Sequence, residues 1–254
     1  MKKIIFFSTS LVLACVLISC ELFSKPLYSF SRDISGIIGS MSTADLVGNI
    51  DKLASDPKKA ADVLNELAHR NQDEISSLSK GDKEKLLEAG VGAILPVSQL
   101  GDMVDQLTKE DDMDIASIMD TLTQGTSAIN TKALETVLED DEILEKTDAG
   151  TLALGAASLI LNTVKTEAGD EGNFEEKMTA FQDVAKTVNG SLDKDNFKQE
   201  LTAKGFSEES AAALTAAMGV ADVLTGDRKA DTEKIGFGDL GISDLLDQMT
   251  GAKK

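Results

Sequence analysis

The sequence has no tryptophan, one histidine, two cysteines and three prolines among 254 residues. His and Cys are common metal ligands and catalytic groups, so a chain with so few of them is a poor candidate for a metal centre or for the usual nucleophilic catalysis. Basic residues are scarce as well, because 25 Lys and Arg stand against 44 Asp and Glu, for a net charge of −19. Such a chain is poorly suited to replace the counterions of a phosphate backbone. We therefore expect no nucleic-acid partner, no cofactor and no specific metal site.

Residues 1–19 have the layout of an export signal. Lys2 and Lys3 precede an uncharged stretch at residues 4–19, which is short against the roughly 20 residues that a transmembrane helix needs. A basic start, an apolar centre and a small residue at the end are typical of a cleaved signal peptide. A permanent signal anchor is the alternative, but no basic stop-transfer flank follows the apolar stretch.

The end of this segment, Leu17-Ile18-Ser19-Cys20, resembles the lipobox of bacterial lipoproteins. The shared pattern is a branched apolar residue, a tolerant position, a small residue and then Cys. The resemblance covers the signal segment only. It implies cleavage between Ser19 and Cys20, a diacylglycerol on the Cys20 sulfur and, in many species, a further acyl chain such as palmitate on the new amino group. Residues 12–15 (VLAC) are a competing match, but their apolar segment is shorter, so we place the lipid on Cys20.

A lipidated Cys20 implies a protein anchored on the exported side of a bacterial membrane, either inner or outer. Several acyl chains hold a protein firmly, whereas one holds it only marginally. Cleavage after Ser19 also removes Cys15, so no pair of thiols remains for a disulfide. The fold must then be held by packing, or by a metal.

Residues 20–41 form a tether with an unusual group of aromatic side chains, namely Phe23, Tyr28 and Phe30. Two interpretations stay open for these residues. Aromatic rings favour the headgroup level of a bilayer, which makes the three a possible membrane-interface segment. Alternatively, they pack on the domain as an N-terminal arm.

From residue 42 to residue 254, apolar residues recur at helical spacing almost throughout. Capping residues mark several starts: Ser42/Thr43, Asp56-Pro57, Asn130-Thr131, Asn173 and Ser207. No useful stretch alternates with a period of two. The pattern predicts an all-α domain, a multi-helix bundle or array of about ten short helices joined by short loops. A division into two halves near residues 169–173 is a further interpretation of the same pattern.

Two segments are apolar nearly all round. Residues 149–164 carry no charge and residues 211–224 carry only Asp222. Helices that are apolar on every side are usually buried, which favours a pair of central core helices. The alternative is that one of them leaves the core and enters a lipid leaflet.

Three patterns bear on chemistry, and none predicts a catalytic site. His69 lies at the end of a predicted helix, where it suits the helix dipole. The GxGxxG pattern at residues 236–241 has no preceding strand, so it does not indicate dinucleotide binding. Acidic clusters lie at residues 110–114, 139–142 and 170–171, and residues 193–197 begin like a calcium loop but have Phe at the fifth ligand position. We interpret all four as helix termini.

These observations favour a lipid-anchored, non-enzymatic helical protein of the bacterial cell envelope that binds a partner or ligand, either a protein segment or an apolar molecule. The alternative is a membrane-active lipoprotein whose amphipathic or apolar helices insert into or perturb a leaflet. An enzyme that uses only carboxylates is a residual hypothesis, and it would need a cleft with two facing carboxyls, one of them with a raised pKa.

Overall fold

The structure is a computed structural model that describes residues 38–53, 57–94, 129–169, 173–188 and 192–226, with two short strand segments at 236–237 and 240–241. The signal peptide, Ser19, Cys20 and the aromatic residues Phe23, Tyr28 and Phe30 lie outside the described residues. Their assignments therefore stay predictions.

The described part of the chain is almost entirely helical, which confirms the all-α prediction. Its eleven helices are α1 (Thr43–Gly48), α2 (Ile50–Leu53), α3 (Pro57–Ala68), α4 (Gln72–Ser76), α5 (Lys80–Ile94), α6 (Lys132–Leu138), α7 (Asp141–Lys146), α8 (Ala149–Ala168), α9 (Phe174–Ala185), α10 (Lys194–Ala203) and α11 (Glu208–Thr225).

The glycine-rich segment forms a minimal antiparallel pair. Strand β1 (Gly236–Phe237) pairs with β2 (Leu240–Gly241), with Gly236 opposite Gly241. Periodicity does not predict this pair, because two residues are too few to show alternation. Both strands lie within the GxGxxG pattern itself.

Side-chain caps begin several helices where the sequence places them. The Ser42 hydroxyl accepts a hydrogen bond from the Asp45 backbone N–H at 3.1 Å, and Ser207 does the same for Ser210 at 3.2 Å. At α6 the cap differs from the prediction in detail. Thr131 makes no capping bond, and the Asn130 side chain accepts from the Lys132 backbone N–H instead. The Asn173 side chain makes no capping bond either.

The two apolar segments form the centre of the core, as the core-helix interpretation predicts. They lie on α8 and α11, which pack extensively against each other. Helix α5 packs on α8 and on α3, while α9 packs on α8 and α10 packs on α11. One cluster of buried apolar side chains includes residues on both sides of residues 170–172. Among the described helices, none has the length and apolar run needed to cross a bilayer.

Small residues allow the central helices to approach closely. A Cβ atom built on Gly90 of α5 would lie only 2.5 Å from Cδ2 of Leu134 on α6. Gly155 of α8 likewise leaves room for the Leu87 side chain of α5. At these two positions the packing needs glycine because any side chain would meet a buried leucine.

Candidate functional site

A cleft of about 340 Å³ opens where α6, α8 and the start of α11 meet, beside α3. Most of the residues that line it have polar side chains, and they supply amides, hydroxyls, three carboxylates and one ammonium group. The lining residues are Asn65, Ile129, Asn130, Thr131, Lys132, Glu135, Asn162, Thr163, Thr166, Glu167, Ser207, Glu209, Ser210 and Ala213. Two other depressions, on α9 and α10, are more open and draw on fewer residues.

Three asparagines fix one wall of the cleft. Asn162 of α8 donates to the Ile129 carbonyl oxygen at 2.7 Å and accepts from the Ile129 backbone N–H at 3.2 Å. Asn65 of α3 accepts from the Asn130 backbone N–H at 2.8 Å. Asn130 in turn caps α6 through Lys132. Side chains from two helices therefore hold the segment that enters α6, since its backbone polar groups need partners when buried.

Glu167 joins the end of α8 to the start of α11. Its Oε1 accepts from the Ser207 backbone N–H at 2.9 Å and from the Ser207 hydroxyl, while its Oε2 lies 3.9 Å from Nζ of Lys177. Burial acts to raise the pKa of Glu167, but the hydrogen bonds from Ser207 and Ser210 and the charge of Lys177 outweigh it, so the pKa is lowered. Glu167 thus links α8 to the start of α11 through Oε1 and lies near Lys177 of α9 through Oε2.

Glu135 is the buried carboxylate of the cleft. The residue is only 3% exposed, and its Oε1 lies 2.6 Å from Nζ of Lys132, one turn earlier on α6. Burial raises the pKa of Glu135, and the negative charges of Glu139 and Glu209 act in the same direction against the opposing effect of Lys132. A carboxylate this deep requires a cation beside it to remain ionised.

A buried hydroxyl of the lining has no partner. Thr163 of α8 is 3% exposed, and its Oγ1 makes no hydrogen bond within the described residues. Helical threonines commonly bond to the carbonyl oxygen four residues earlier, as Thr166 does with Asn162 at 2.8 Å. An unsatisfied buried polar atom costs roughly 1–3 kcal/mol, so its presence at a cleft needs an explanation.

The pKa of Glu135 is raised and that of Glu167 is lowered. Such opposite shifts in one cleft are also typical of a catalytic acid and base. A general base needs a free oxygen for a water or a substrate proton. Oε1 of Glu167 accepts hydrogen bonds from Ser207, whereas its Oε2 lies 3.9 Å from Nζ of Lys177, which is beyond hydrogen-bond distance. The two carboxylates therefore lie in different electrostatic environments.

The other residues that the sequence singled out lie away from the cleft. His69 follows the last residue of α3 and is exposed. Asp140, in the acidic cluster 139–142, caps α7 and makes an ion pair with the nearly buried Lys83 at 2.6 Å. Asp193 caps α10. Helix termini thus explain residues 139–142 and 193–197, whereas residues 110–114 and 170–171 lie outside the described residues. No group of three or more His, Cys, Asp or Glu in the described part is placed to hold a metal ion.

Sequence reasoning did not find the cleft residues. One usable signal is the pair Asn162-Thr163 inside an otherwise apolar helical segment, because a buried amide must find partners. Glu135 gives no such signal, since carboxylates are common along the whole chain. Comparisons with protein-family models, with curated proteins and with solved structures find no match to this chain.

Proposed function

We propose that this chain is a lipid-anchored, non-enzymatic protein of the bacterial cell envelope that binds a small polar ligand. The anchor rests on the lipobox residues that end at Cys20. The binding function rests on the cleft between α6, α8 and α11. Its volume, about 340 Å³, lies at the lower end of the range for small-molecule pockets.

The lining of the cleft favours a polar ligand over an apolar one. Asparagines hold the walls, so the cleft is shaped before a ligand arrives. Its hydroxyl, amide and carboxylate groups are hydrogen-bonding groups, which an apolar molecule would leave without partners. The apolar ligand expected from the small-residue helices is disfavoured because α8 and α11 bury those residues against each other.

The membrane-active alternative receives less support. It requires an apolar helix face that can reach lipid, and the apolar residues of α8 and α11 are almost all buried in the core. Their insertion would first require the central packing to open, at a cost comparable to unfolding the domain.

A cleft-blocking variant tests the binding function. Thr166 is exposed at the rim, and Thr166→Phe would place a large ring there. Thr202→Phe on α10 is the matched control, because Thr202 is also exposed and makes the same hydroxyl bond to the carbonyl four residues earlier. The full-length lipoprotein in a nonionic detergent would be titrated calorimetrically with 1,4-diaminobutane, sorbitol, acetate and glycine.

We expect at least one of these four probes to bind the wild type and the Thr202→Phe protein equally. Thr166→Phe should weaken that binding at least tenfold. The proposed binding function fails if no probe binds, or if both variants bind every probe like the wild type.

A further inference from the structure

We infer that the cleft recognises a small molecule with a protonated primary amine, which binds to Glu135 in the place that the Lys132 ammonium group occupies in the structure. This inference rests on the proposed binding function and names the class of its ligand. The observation behind it is a nearly buried carboxylate whose ion-pair partner is itself partly exposed, both in the lining of one cleft.

The ion pair between Lys132 and Glu135 is asymmetric in burial. The Glu135 side chain is 4% exposed, whereas the Lys132 side chain is 37% exposed. Lysine has a flexible four-carbon stem and a strongly hydrated ammonium group. Lys132 can therefore move into solvent at little cost, provided that another ammonium group takes its place at the carboxylate. An exchange of one cation for another avoids the penalty of an unpaired buried charge.

The charge of the lining selects for a cation. Three carboxylates line the cleft, on Glu135, Glu167 and Glu209. Among the described lining residues, Lys132 alone is basic. Glu209 is exposed at the rim and adds to the negative potential at Glu135. An anion would meet this potential with no free ammonium group to offset it. The net charge of −19 also steers cations toward the protein over longer distances.

The remaining groups favour an amine with N–H donors over a quaternary ammonium ion. Carboxylate, amide and hydroxyl oxygens in the lining are hydrogen-bond acceptors, and a primary ammonium group supplies three donors. Quaternary ammonium ions are instead held by aromatic faces. The lining contains no aromatic residue among those described.

The test compares 1,4-diaminobutane with tetramethylammonium, which carries charge but no N–H donor. Calorimetric titration uses the full-length lipoprotein in nonionic detergent at pH 8, because an alkaline pH favours the carboxylate form of Glu135. Glu135→Gln removes the carboxylate and keeps its shape. Glu145→Gln is the matched control, because Glu145 is exposed on α7, does not line the cleft and changes the net charge equally.

We expect the wild type and Glu145→Gln to bind 1,4-diaminobutane within twofold of each other, and Glu135→Gln to bind it at least tenfold more weakly. Tetramethylammonium should bind none of them measurably. Lys132→Gln should strengthen diamine binding severalfold, because the probe no longer competes with a resident ammonium group. A merely structural role for Lys132 would weaken binding or leave it unchanged.

Three results would overturn the inference, and they differ in what they say about the proposed function. Equal diamine binding by Glu135→Gln and Glu145→Gln would mean general attraction to an acidic surface. If sorbitol, acetate or glycine binds in a manner that Thr166→Phe abolishes while the diamine does not bind, the cleft binds ligands but not amines. If none of the probes binds, the proposed function fails together with the inference.

Discussion

Glu135 shows how one residue can make the stability of the fold depend on pH. Burial raises the pKa of Glu135 above its usual value near 4.5, so the folded protein holds this proton more tightly than the unfolded chain. The stabilising contribution of the protonated group is complete below pH 4.5. It is lost as the pH rises through the raised pKa of the folded state. Lys132, Glu139 and Glu209 are the charged groups that act on this carboxyl.

We therefore predict that Glu135→Gln unfolds at a higher denaturant concentration than the wild type at neutral pH, with the difference shrinking as the pH falls toward 4.5. Gln is neutral at every pH, so the variant lacks the cost of ionising a buried carboxyl. Urea unfolding at a series of pH values measures the difference, with Glu145→Gln as the control. If the urea midpoints of Glu135→Gln and Glu145→Gln change in the same way with pH, the prediction is wrong.

At the scale of the helices, close packing decides which glycines can be replaced by a larger residue. Gly90 of α5 meets both methyl groups of Leu134, at 2.5 and 2.6 Å from the position of an added Cβ. Leu134 is itself buried and part of the core, so it has little room to move aside. Gly219 of α11 instead faces the flexible end of the Lys194 side chain, with the nearest atom at 3.4 Å.

We predict that Gly90→Ala destabilises the protein by about 1–3 kcal/mol, as overpacking of a core typically does. Gly219→Ala should be neutral or stabilising by up to about 1 kcal/mol, because alanine favours the helix and Lys194 can move. Urea unfolding of both variants gives the two free energies. Equal effects at the two positions would show that helix propensity, and not the contact with Leu134, governs the outcome.

At the scale of the whole molecule, the proposed arrangement attaches the protein to the membrane through a single residue, Cys20. The apolar surfaces of α8 and α11 are buried in the core. The full chain carries a net charge of −19, and anionic headgroups repel such a charge. The covalent lipid on Cys20 is then what holds the chain at the bilayer.

We predict that Cys20→Ala abolishes metabolic labelling with a fatty acid and prevents the protein from floating with neutral vesicles at high salt. Cys15→Ala should keep both properties, which makes it the control for changes in the signal segment. Flotation of the unlabelled Cys20→Ala protein would instead favour insertion of helices or an uncleaved signal anchor.

The same chain shows how far sequence reasoning reaches at each scale. Helix caps at Ser42 and Ser207 and the burial of residues 149–164 follow from local chemistry and periodicity, and the structure confirms them. At α6 the sequence offers two adjacent capping residues, Asn130 and Thr131, and only the structure shows that Asn130 makes the bond. The cleft was not predicted, since its walls come from residues 65, 130, 135, 162 and 207, which lie far apart in the sequence.

The sequence by itself determined the helical class, the two central helices and the predicted anchor at Cys20. Each of these depends on short-range patterns, namely apolar spacing, capping residues and a four-residue motif. Only the tertiary structure decided that Glu135 is buried, that Glu167 accepts from Ser207 and that Thr163 has no hydrogen-bond partner among the described residues. The reason is physical: an acidic or polar side chain acquires its pKa and its chemistry from neighbours that the fold brings together, and those neighbours have no fixed spacing along the chain.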